Sequence, residues 1–170
     1  MSVLETGYLS VEELKKSPNY PTDKRLEMGA CVVIECVQDI PCNPCETVCP
    51  QGAIIVGNPI TNLPVFNENA CTGCGLCISI CPGQAIFLVD RTYSETEALV
   101  AFPFEYLPLP EKGETVNAVN RAGKVITQGK VVRIFNPKKN DRTPVVYIAV
   151  EKRFADEVRS IQHRALLEDC

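Results

Sequence analysis

The stretch CTGCGLCISICP, residues 71–82, decides how this chain is interpreted. Its four cysteines are Cys71, Cys74, Cys77 and Cys81, separated by two, two and three residues, and Pro82 follows directly. Nine of the ten cysteines of the chain lie between Cys31 and Cys81. Such a concentration of thiols at ligand-like spacing favours a metal site over a set of unreactive core residues.

The chain repeats this pattern. The stretch PCNPCETVCPQGAI (residues 41–54) aligns with GCGLCISICPGQAI (residues 73–86) at a constant offset of 32 residues, and it brings three cysteines and a proline of each copy into register. Apolar runs flank the copies: CVVIEC at residues 31–36, AIIV at 53–56 and AIFLV at 85–89. Each unit is therefore predicted to be a strand, a ligand loop, a short helix and a second strand.

Composition sets the broad class of the protein. The chain has 170 residues, of which 45% are hydrophobic and 22% charged, so it has room for one ordinary domain or two small ones and is not a disordered chain. A net charge of −4 gives no basic footprint for nucleic acid. No apolar run approaches the ~18 residues of a membrane helix, and the first residues do not resemble a secretory leader. We expect a cytoplasmic protein with no membrane span and no nucleic-acid partner.

Other uses of clustered cysteines fit the spacing less well. A reducing cytosol disfavours disulfides. Structural zinc sites combine two well-separated cysteine pairs, often with histidine, whereas this chain has two evenly stepped runs that each end in Cys-Pro. Radical chemistry on S-adenosylmethionine would need the spacing C-x3-C-x2-C, which neither copy contains.

The second copy matches the motif C-x2-C-x2-C-x3-C-P in full, and the doubled unit resembles a bacterial-type two-cluster [4Fe–4S] ferredoxin domain. The resemblance implies an α+β fold in which a pseudo-twofold strand–loop–helix–strand repeat holds two [4Fe–4S] clusters. It also implies that the fourth cysteine of each copy binds the cluster of the other copy. The first cluster would take Cys36, Cys42, Cys45 and Cys81, and the second would take Cys71, Cys74, Cys77 and Cys49.

The first copy departs from the motif at one position. Asp39 stands where the second copy has Cys71, and the nearest upstream thiol is Cys36, which gives C-x5-C-x2-C-x3-C-P. We favour Cys36 as the fourth ligand, with a longer loop between it and Cys42. Asp39 as an oxygen ligand is the rival interpretation, and a three-iron cluster is a further one. Cys31 is interpreted as a small buried hydrophobe of the preceding strand.

The sequence contains no sign of a substrate site. It lacks a dinucleotide fingerprint and a phosphate-binding loop, and its only histidine, His163, has no nucleophile and acid to complete a catalytic set. We therefore expect a non-catalytic electron carrier. With its flanks, the chain is similar to the small iron–sulfur subunits of flavin dehydrogenases that act on amino acids or opines. That resemblance implies a hetero-oligomer with a flavin-bearing subunit, while a free ferredoxin shuttle and a structural iron–sulfur protein are the alternatives.

These patterns predict that the chain is divided into four segments. Residues 1–30 are predicted as a helix, opened by a capping box at Ser10, followed by an extended arm. Residues 31–90 form the two-cluster unit, and residues 91–114 a proline-rich linker. Residues 115–170 are predicted as a small β-rich domain that ends in a helix. Its basic residues, interpreted as a solvated sheet face or a docking platform, are Arg121, Lys124, Lys130, Arg133, Lys138, Lys139 and Arg142.

Overall fold

Residues 3–138 and 143–163 are described in the computed structural model of this chain. They begin with three short helices, α1 (Val3–Thr6), α2 (Val11–Leu14) and α3 (Asp23–Leu26). The predicted capping box is confirmed: Glu13 N donates to Ser10 Oγ (3.2 Å), and Ser10 N donates to Glu13 Oε2 (3.0 Å). Leu14 and Leu26 are buried, so α2 and α3 pack against the remainder of the chain.

The cysteine-rich segment contains its elements in the predicted order. The first repeat consists of β1 (Cys31–Ile34), α4 (Pro44–Val48) and β2 (Ile54–Ile55). The second consists of β3 (Val65–Phe66), α5 (Leu76–Ile80) and β4 (Ile86–Asp90). β1 pairs with β4, and β2 pairs with β3, both antiparallel. Each strand pair thus takes one strand from each repeat, which interlocks the two halves.

Five further strands extend the pair formed by β1 and β4. They are β5 (Glu97–Pro103), β6 (Thr115–Asn120), β7 (Val125–Phe135), β8 (Val145–Glu151) and β9 (Val158–Ile161). Within the described residues, seven strands form one antiparallel sheet in the order β1-β4-β5-β8-β7-β6-β9. The sheet therefore begins in the cysteine-rich segment and continues to the last described strand.

The centre of the sheet is covered on both faces. In β8 the first six residues are buried, so side chains that point to opposite faces are both shielded from water. A fully buried Ile148 or Val146 contributes roughly 1.5–3 kcal/mol relative to exposure. One face carries Leu88 and Tyr147, which lie close to Gly75 at the start of α5. This face therefore supports the second cysteine loop.

The prediction of a linker at residues 91–114 is wrong for part of its length, because β5 lies inside it. The run from Ala98 to Phe102 pairs with β4 on one side and β8 on the other, and burial of its apolar side chains outweighs the nearby prolines. Pro103 is tolerated because it stands at the end of the strand.

The prediction of a C-terminal helix is also wrong where the structure describes it. Residues 158–161 form β9, which pairs with β6, and Val158 and Ile161 are buried there. Tertiary pairing of this short β-branched segment overrides its local helical character. Residues 164–170 of the predicted helix lie outside the described residues. The division of the chain at residues 30, 90 and 114 stays a prediction, although one sheet crosses the last two of these boundaries.

Arg121 does not belong to the solvated basic face that we predicted. Its side chain is 7% exposed and pairs with Glu35, a residue of the cysteine-rich segment. Lys130 and Arg133 are exposed, in agreement with the prediction, whereas Lys139 and Arg142 lie outside the described residues. Among residues 3–138 and 143–163, no helix is long and apolar enough to cross a bilayer.

Candidate metal centre

One group of four thiols surrounds a small cavity at the first loop. Cys36, Cys42, Cys45 and Cys81 all line it, together with apolar side chains such as Ile34. Burial raises the pKa of Cys45 to about 11, and the neighbouring thiols of Cys81, Cys42 and Cys36 also raise it. Burial and the Cys81 thiol likewise raise the pKa values of Cys36 and Cys42. The structure thus brings together the four residues that the sequence analysis assigned to one cluster.

A second group surrounds the buried thiol of Cys77 in α5. Burial raises the pKa of Cys77, and the thiols of Cys71, Cys74 and Cys49 raise it further. Cys49 follows the last residue of α4, and Cys81 holds the same place after α5. Each of these helix-end cysteines therefore lies with the thiols of the other repeat, and whether the two groups bind clusters in this crosswise arrangement stays a prediction.

Asp39 and Cys36 differ in their position relative to the first group. Cys36 lies two residues beyond the end of β1 and lines the cavity, whereas Asp39 is exposed and is not part of the lining. A carboxylate that faces solvent is poorly placed to compete with a half-buried thiol. The geometry favours Cys36 over the rival interpretation, and the assignment itself stays a prediction.

The donor atoms suit an iron–sulfur cluster. Backbone N–H groups donate to cysteine sulfurs, among them Ala53 to Cys49 (3.3 Å), Ala85 to Cys81 (3.4 Å) and Gly73 to Cys71 (3.5 Å). Such hydrogen bonds stabilise thiolates, which are the species that bind iron. Within the described residues, no three His, Cys, Asp or Glu side chains form a site for a single metal ion. Two sets of four thiols without histidine fit [4Fe–4S] clusters better than structural zinc, which usually takes two well-separated cysteine pairs and often histidine.

Two glycines give the second loop its shape. Gly73 and Gly75 have φ angles of +69° and +76°, in the left-handed region that favours glycine. A Cβ atom on Gly73 would lie 2.5 Å from the carbonyl oxygen of Ala30, and one on Gly75 would lie 3.2 Å from Tyr147 Oη. The loop therefore packs against Ala30, the residue before β1, on one side and against β8 on the other, and Cys74 is exposed between the two glycines.

Arg25 of α3 fixes the entrance to the second loop, a role that the sequence analysis missed. Its Nη2 donates to the carbonyl oxygens of Cys71 (2.7 Å) and Ala30 (3.0 Å), and its Nε donates to Glu68 O (2.9 Å). Thr22 adds two hydrogen bonds to the Glu68 carboxylate. The predicted extended arm therefore packs on its own chain. The N-cap residue Thr22 before an acidic first turn was the available signal for α3.

Cys31 is buried, as predicted, but it also contacts the second thiol group. Its thiol donates a hydrogen bond to the sulfur of Cys71. This bond, the N–H groups of Val32 and Gly73 and the charge of Arg25 lower the pKa of Cys71 to about 6, although burial opposes the shift. The contact stabilises the thiolate form of Cys71, so Cys31 supports a candidate ligand without belonging to either set of four.

A buried ion-pair cluster stands directly beside Cys36. Arg121 donates to both carboxylate oxygens of Glu35 (2.8 and 2.6 Å), and Arg159 Nε donates to Oε1 (2.6 Å). Burial alone would raise the pKa of Glu35, but the two guanidinium groups hold it below its ordinary value. Since Arg121 follows β6 and Arg159 lies in β9, the far end of the sheet anchors the residue that precedes the first candidate ligand.

His163 takes no part in either thiol group. Its Nε2 lies 2.9 Å from the carbonyl oxygen of Leu107, and its ring centroid lies 5.2 Å from that of Tyr106. These contacts give the histidine a packing role, and neither of them involves a cysteine.

Comparison with known proteins supports the iron–sulfur assignment. The family model described as "4Fe-4S binding domain" matches residues 64–87, which include the second loop and α5. No solved structure gives a significant match to the chain. Together with the relatives described next, this match confirms the prediction of an iron–sulfur segment of the 4Fe-4S, ferredoxin type.

Three curated relatives illustrate the similarity. Pyruvate synthase subunit PorD of Thermotoga maritima is 47% identical over 53 residues, 31% of this chain and 52% of that protein. One subunit of the ion-translocating oxidoreductase complex of Methanosarcina acetivorans is 38% identical over 66 residues, 39% of this chain and 23% of that protein. Protein Pixie of Drosophila melanogaster is 26% identical over 125 residues, 64% of this chain and 20% of that protein. The chain thus spans between about a fifth and about half of these relatives.

Proposed function

We propose that this chain is an electron-transfer subunit that carries two [4Fe–4S] clusters. The first would be held by Cys36, Cys42, Cys45 and Cys81, and the second by Cys49, Cys71, Cys74 and Cys77. The observation that carries the proposal is the crosswise grouping, in which the cysteines that end α4 and α5 each join the thiols of the other repeat. Shared ligand segments bring two centres close together, which is the arrangement that a relay needs.

When bound, each cluster supplies one-electron redox chemistry. The chain's own residues bury the thiolates and donate hydrogen bonds to them. Ala53 and Ala85 occupy equivalent positions in the two repeats and donate to the two crossing cysteines, Cys49 and Cys81. Because these donors are backbone groups, they are already oriented before an electron arrives, and little reorganisation accompanies the charge change.

The partner in this proposal is an oxidoreductase of several subunits. Two relatives are named as subunits of pyruvate synthase and of an ion-translocating oxidoreductase complex, which supports assembly with other chains. The chain would then serve as a non-catalytic carrier in the cytoplasm. Our finer proposal, a flavin-bearing dehydrogenase as the electron donor, rests on the missing substrate motifs and on the extra flanks of the cysteine-rich unit.

Metal analysis of matched variants tests the cluster assignment. Anaerobically purified protein is expected to contain about eight iron and eight sulfide per chain, two cubanes of four each. Cys36→Ser is expected to lower this content and to change the EPR spectrum of one centre, whereas Asp39→Asn should retain both. Protein that binds no iron, or only one centre in the wild type, contradicts the two-cluster proposal. Full retention of two intact cubanes in Cys36→Ser removes Cys36 from the ligand set.

Purification from the native source under anaerobic conditions tests the partner proposal. Mass spectrometry of co-eluting chains is expected to identify oxidoreductase subunits in fixed proportion to this chain, and a bound flavin would be visible in the same fractions. A monomer that elutes alone would favour the free shuttle instead.

A further inference from the structure

An exposed apolar patch lies at the first thiol group. The patch consists of five side chains that are at least two-fifths exposed: Ile40, Ile55, Ile60, Leu63 and Val65. They lie within 26 consecutive residues, whereas the six other large exposed apolar side chains of the described residues are spread over the rest of the chain. Contiguous apolar patches on a folded protein mark binding surfaces, whereas single exposed apolar side chains do not.

Two of the five side chains, those of Ile55 and Val65, are direct neighbours. Ile55 of β2 and Val65 of β3 are register partners, so they project from the same face of the two-stranded ribbon. They are 52% and 67% exposed, although burial against their own chain would be the ordinary place for β-branched apolar residues. No other strand pairs with β2 or β3 within the described residues. The ribbon thus offers an apolar face that its own chain does not cover.

The patch also borders the proposed cluster ligands. Cys42 N donates to Ile60 O (3.0 Å), and Ile40 lines the same cavity as Cys42, Cys45 and Cys81. Pro64, between Leu63 and Val65, completes that lining. A protein that covered the patch would therefore contact Ile40, which lines the cavity at the first thiol group. This is where a short path for an electron to leave the chain would run.

Charge indicates which kind of protein fits. Residues 26–90 contain no lysine or arginine, although the chain has 17 of them. Three of the acids in residues 31–90 are engaged elsewhere: Glu35 with Arg121, Glu68 with Thr22, and Asp90 with Thr92. Glu46 is half-buried, and its Oε2 accepts hydrogen bonds from Val56 N and Gly57 N (both 3.1 Å), so its negative charge lies beside β2. Asp39 is exposed next to Ile40. The rim is therefore acidic and has no basic side chain of its own segment.

The second thiol group has a different surface. Arg25 lies at the entrance to its loop, and the Arg133 guanidinium lies 4.1 Å from the ring centroid of Tyr147, whose hydroxyl approaches Gly75. The two ends of the proposed relay therefore differ in charge, which would direct different partners to each end.

We propose that the patch of Ile40, Ile55, Ile60, Leu63 and Val65 is the docking site for a redox protein that presents an apolar surface with a basic rim. This inference rests on the proposed relay, and it specifies that one partner binds beside the first thiol group. Apolar contact supplies the close approach, while the acidic rim raises the rate of encounter with a basic surface and makes that rate fall with salt.

Stopped-flow oxidation of the holoprotein by cytochrome c, a basic haem protein, provides the test. Dithionite supplies the electrons, each reduced cluster passes one electron to one ferric haem, and a fully reduced chain consumes two cytochromes. At low ionic strength, Ile55→Lys/Val65→Lys is expected to lower the second-order rate constant about tenfold. Leu107→Lys/Val125→Lys, which adds the same charge at exposed apolar positions outside the patch, is expected to change it about twofold or less.

Three results would overturn the inference. Equal rates in the two double variants would show that only net charge matters, and a rate that does not fall with salt would exclude electrostatic guidance. A wild-type dimer in sedimentation that the patch variant abolishes would show that a second copy covers the patch. Iron content, sulfide content and the EPR spectrum are measured on the wild type and on every variant. A wild type that carries no clusters would count against the proposed function, whereas the rates of cluster-bearing variants test the docking site alone. If the double variant loses its clusters, Leu63→Lys carries the same comparison.

Discussion

Gly73 shows at the scale of one residue why the second loop tolerates little change. Its φ of +69° costs roughly 1–2 kcal/mol for any residue with a Cβ, and the Cβ would also meet the Ala30 carbonyl oxygen at 2.5 Å. That oxygen already accepts a hydrogen bond from Arg25, so it cannot move freely. A side chain at this position must therefore shift the loop that carries Cys71 and Cys74.

We predict that Gly73→Ala destabilises the second thiol group. Anaerobically purified variant protein is expected to contain less iron and sulfide than the wild type. Its free energy of unfolding, measured by denaturant titration, should be lower by more than about 1 kcal/mol. Gly83→Ala is the matched control, because a Cβ there meets no atom within 4 Å. Equal iron content and stability in the two variants would show that the loop absorbs the Cβ, against this argument.

The candidate cysteines were predictable from the motif and from the family that it resembles. The resemblance to a two-cluster ferredoxin domain implied which cysteines would lie together, and the structure groups the same two sets of four. Spacing could not predict that Cys31 donates to Cys71, since that contact joins a strand to a loop 40 residues away. The same holds for Arg25, whose guanidinium reaches the carbonyl of Cys71 across 46 residues.

At the scale of elements, α3 acts as a brace for the second loop. Its Arg25 donates to backbone oxygens of two segments, the end of the arm at Ala30 and the loop entrance at Cys71. Hydrogen bonds from a charged group contribute about 1.5–3 kcal/mol each, and a lysine cannot reproduce the planar fork that reaches several oxygens at once. The helix is only four residues long, so its stability depends on these tertiary contacts.

We predict that Arg25→Lys makes the second centre labile without changing net charge. Loss of visible absorbance on exposure to a chelator is expected to be several-fold faster than in the wild type, and EPR should show that one centre disappears first. Lys24→Ala, at the exposed neighbouring position, serves as the control and should lose its absorbance at the wild-type rate. Identical rates for Arg25→Lys and Lys24→Ala would mean that α3 does not brace the loop.

The prediction of helices and strands succeeded where a local sequence pattern sets the structure. It failed where pairing with a distant strand sets it. The capping box at Ser10 gave α2, and the apolar runs gave β1 and β4. In contrast, β5 and β9 were predicted as linker and helix, because their strand character comes from neighbours that lie elsewhere in the chain. A segment with prolines or mixed charges still becomes a strand when neighbouring strands pair with its edges and its apolar side chains are buried.

At the scale of the whole molecule, one sheet connects the cysteine-rich segment to the strands that follow it. The connection is made by backbone pairing of β4 with β5 and, on the far side, by Glu35 with Arg121 and Arg159. No sequence pattern linked these residues, since Glu35 and Arg159 are 124 positions apart. The continuation of the sheet suggests that the strands after residue 90 hold the cysteine-rich segment in shape and are not an independent appendage.

We predict that Glu35→Gln strongly lowers the free energy of unfolding by weakening this connection. The carboxylate is 11% exposed and is the partner of two arginines that are 7% and 4% exposed, so its loss leaves buried positive charge unpaired, at a cost of about 3–5 kcal/mol. Denaturant unfolding near neutral pH, followed by tyrosine fluorescence, measures this loss. Glu157→Gln is the control, because Glu157 is 47% exposed and lies 3.8 Å from Arg121.

Acid should remove the difference between Glu35→Gln and the wild type. The two arginines lower the pKa of Glu35 in the folded protein, although burial acts in the opposite direction. A lowered folded pKa gives stability that is complete above the carboxyl's ordinary pKa and is lost as the pH falls through the folded value. The gap in unfolding free energy between wild type and Glu35→Gln should therefore be widest near neutral pH and narrow in acid, while Glu157→Gln follows the wild type throughout. A gap that stays constant with pH would mean that shape, and not the charge of Glu35, holds the sheet to the first cysteine loop.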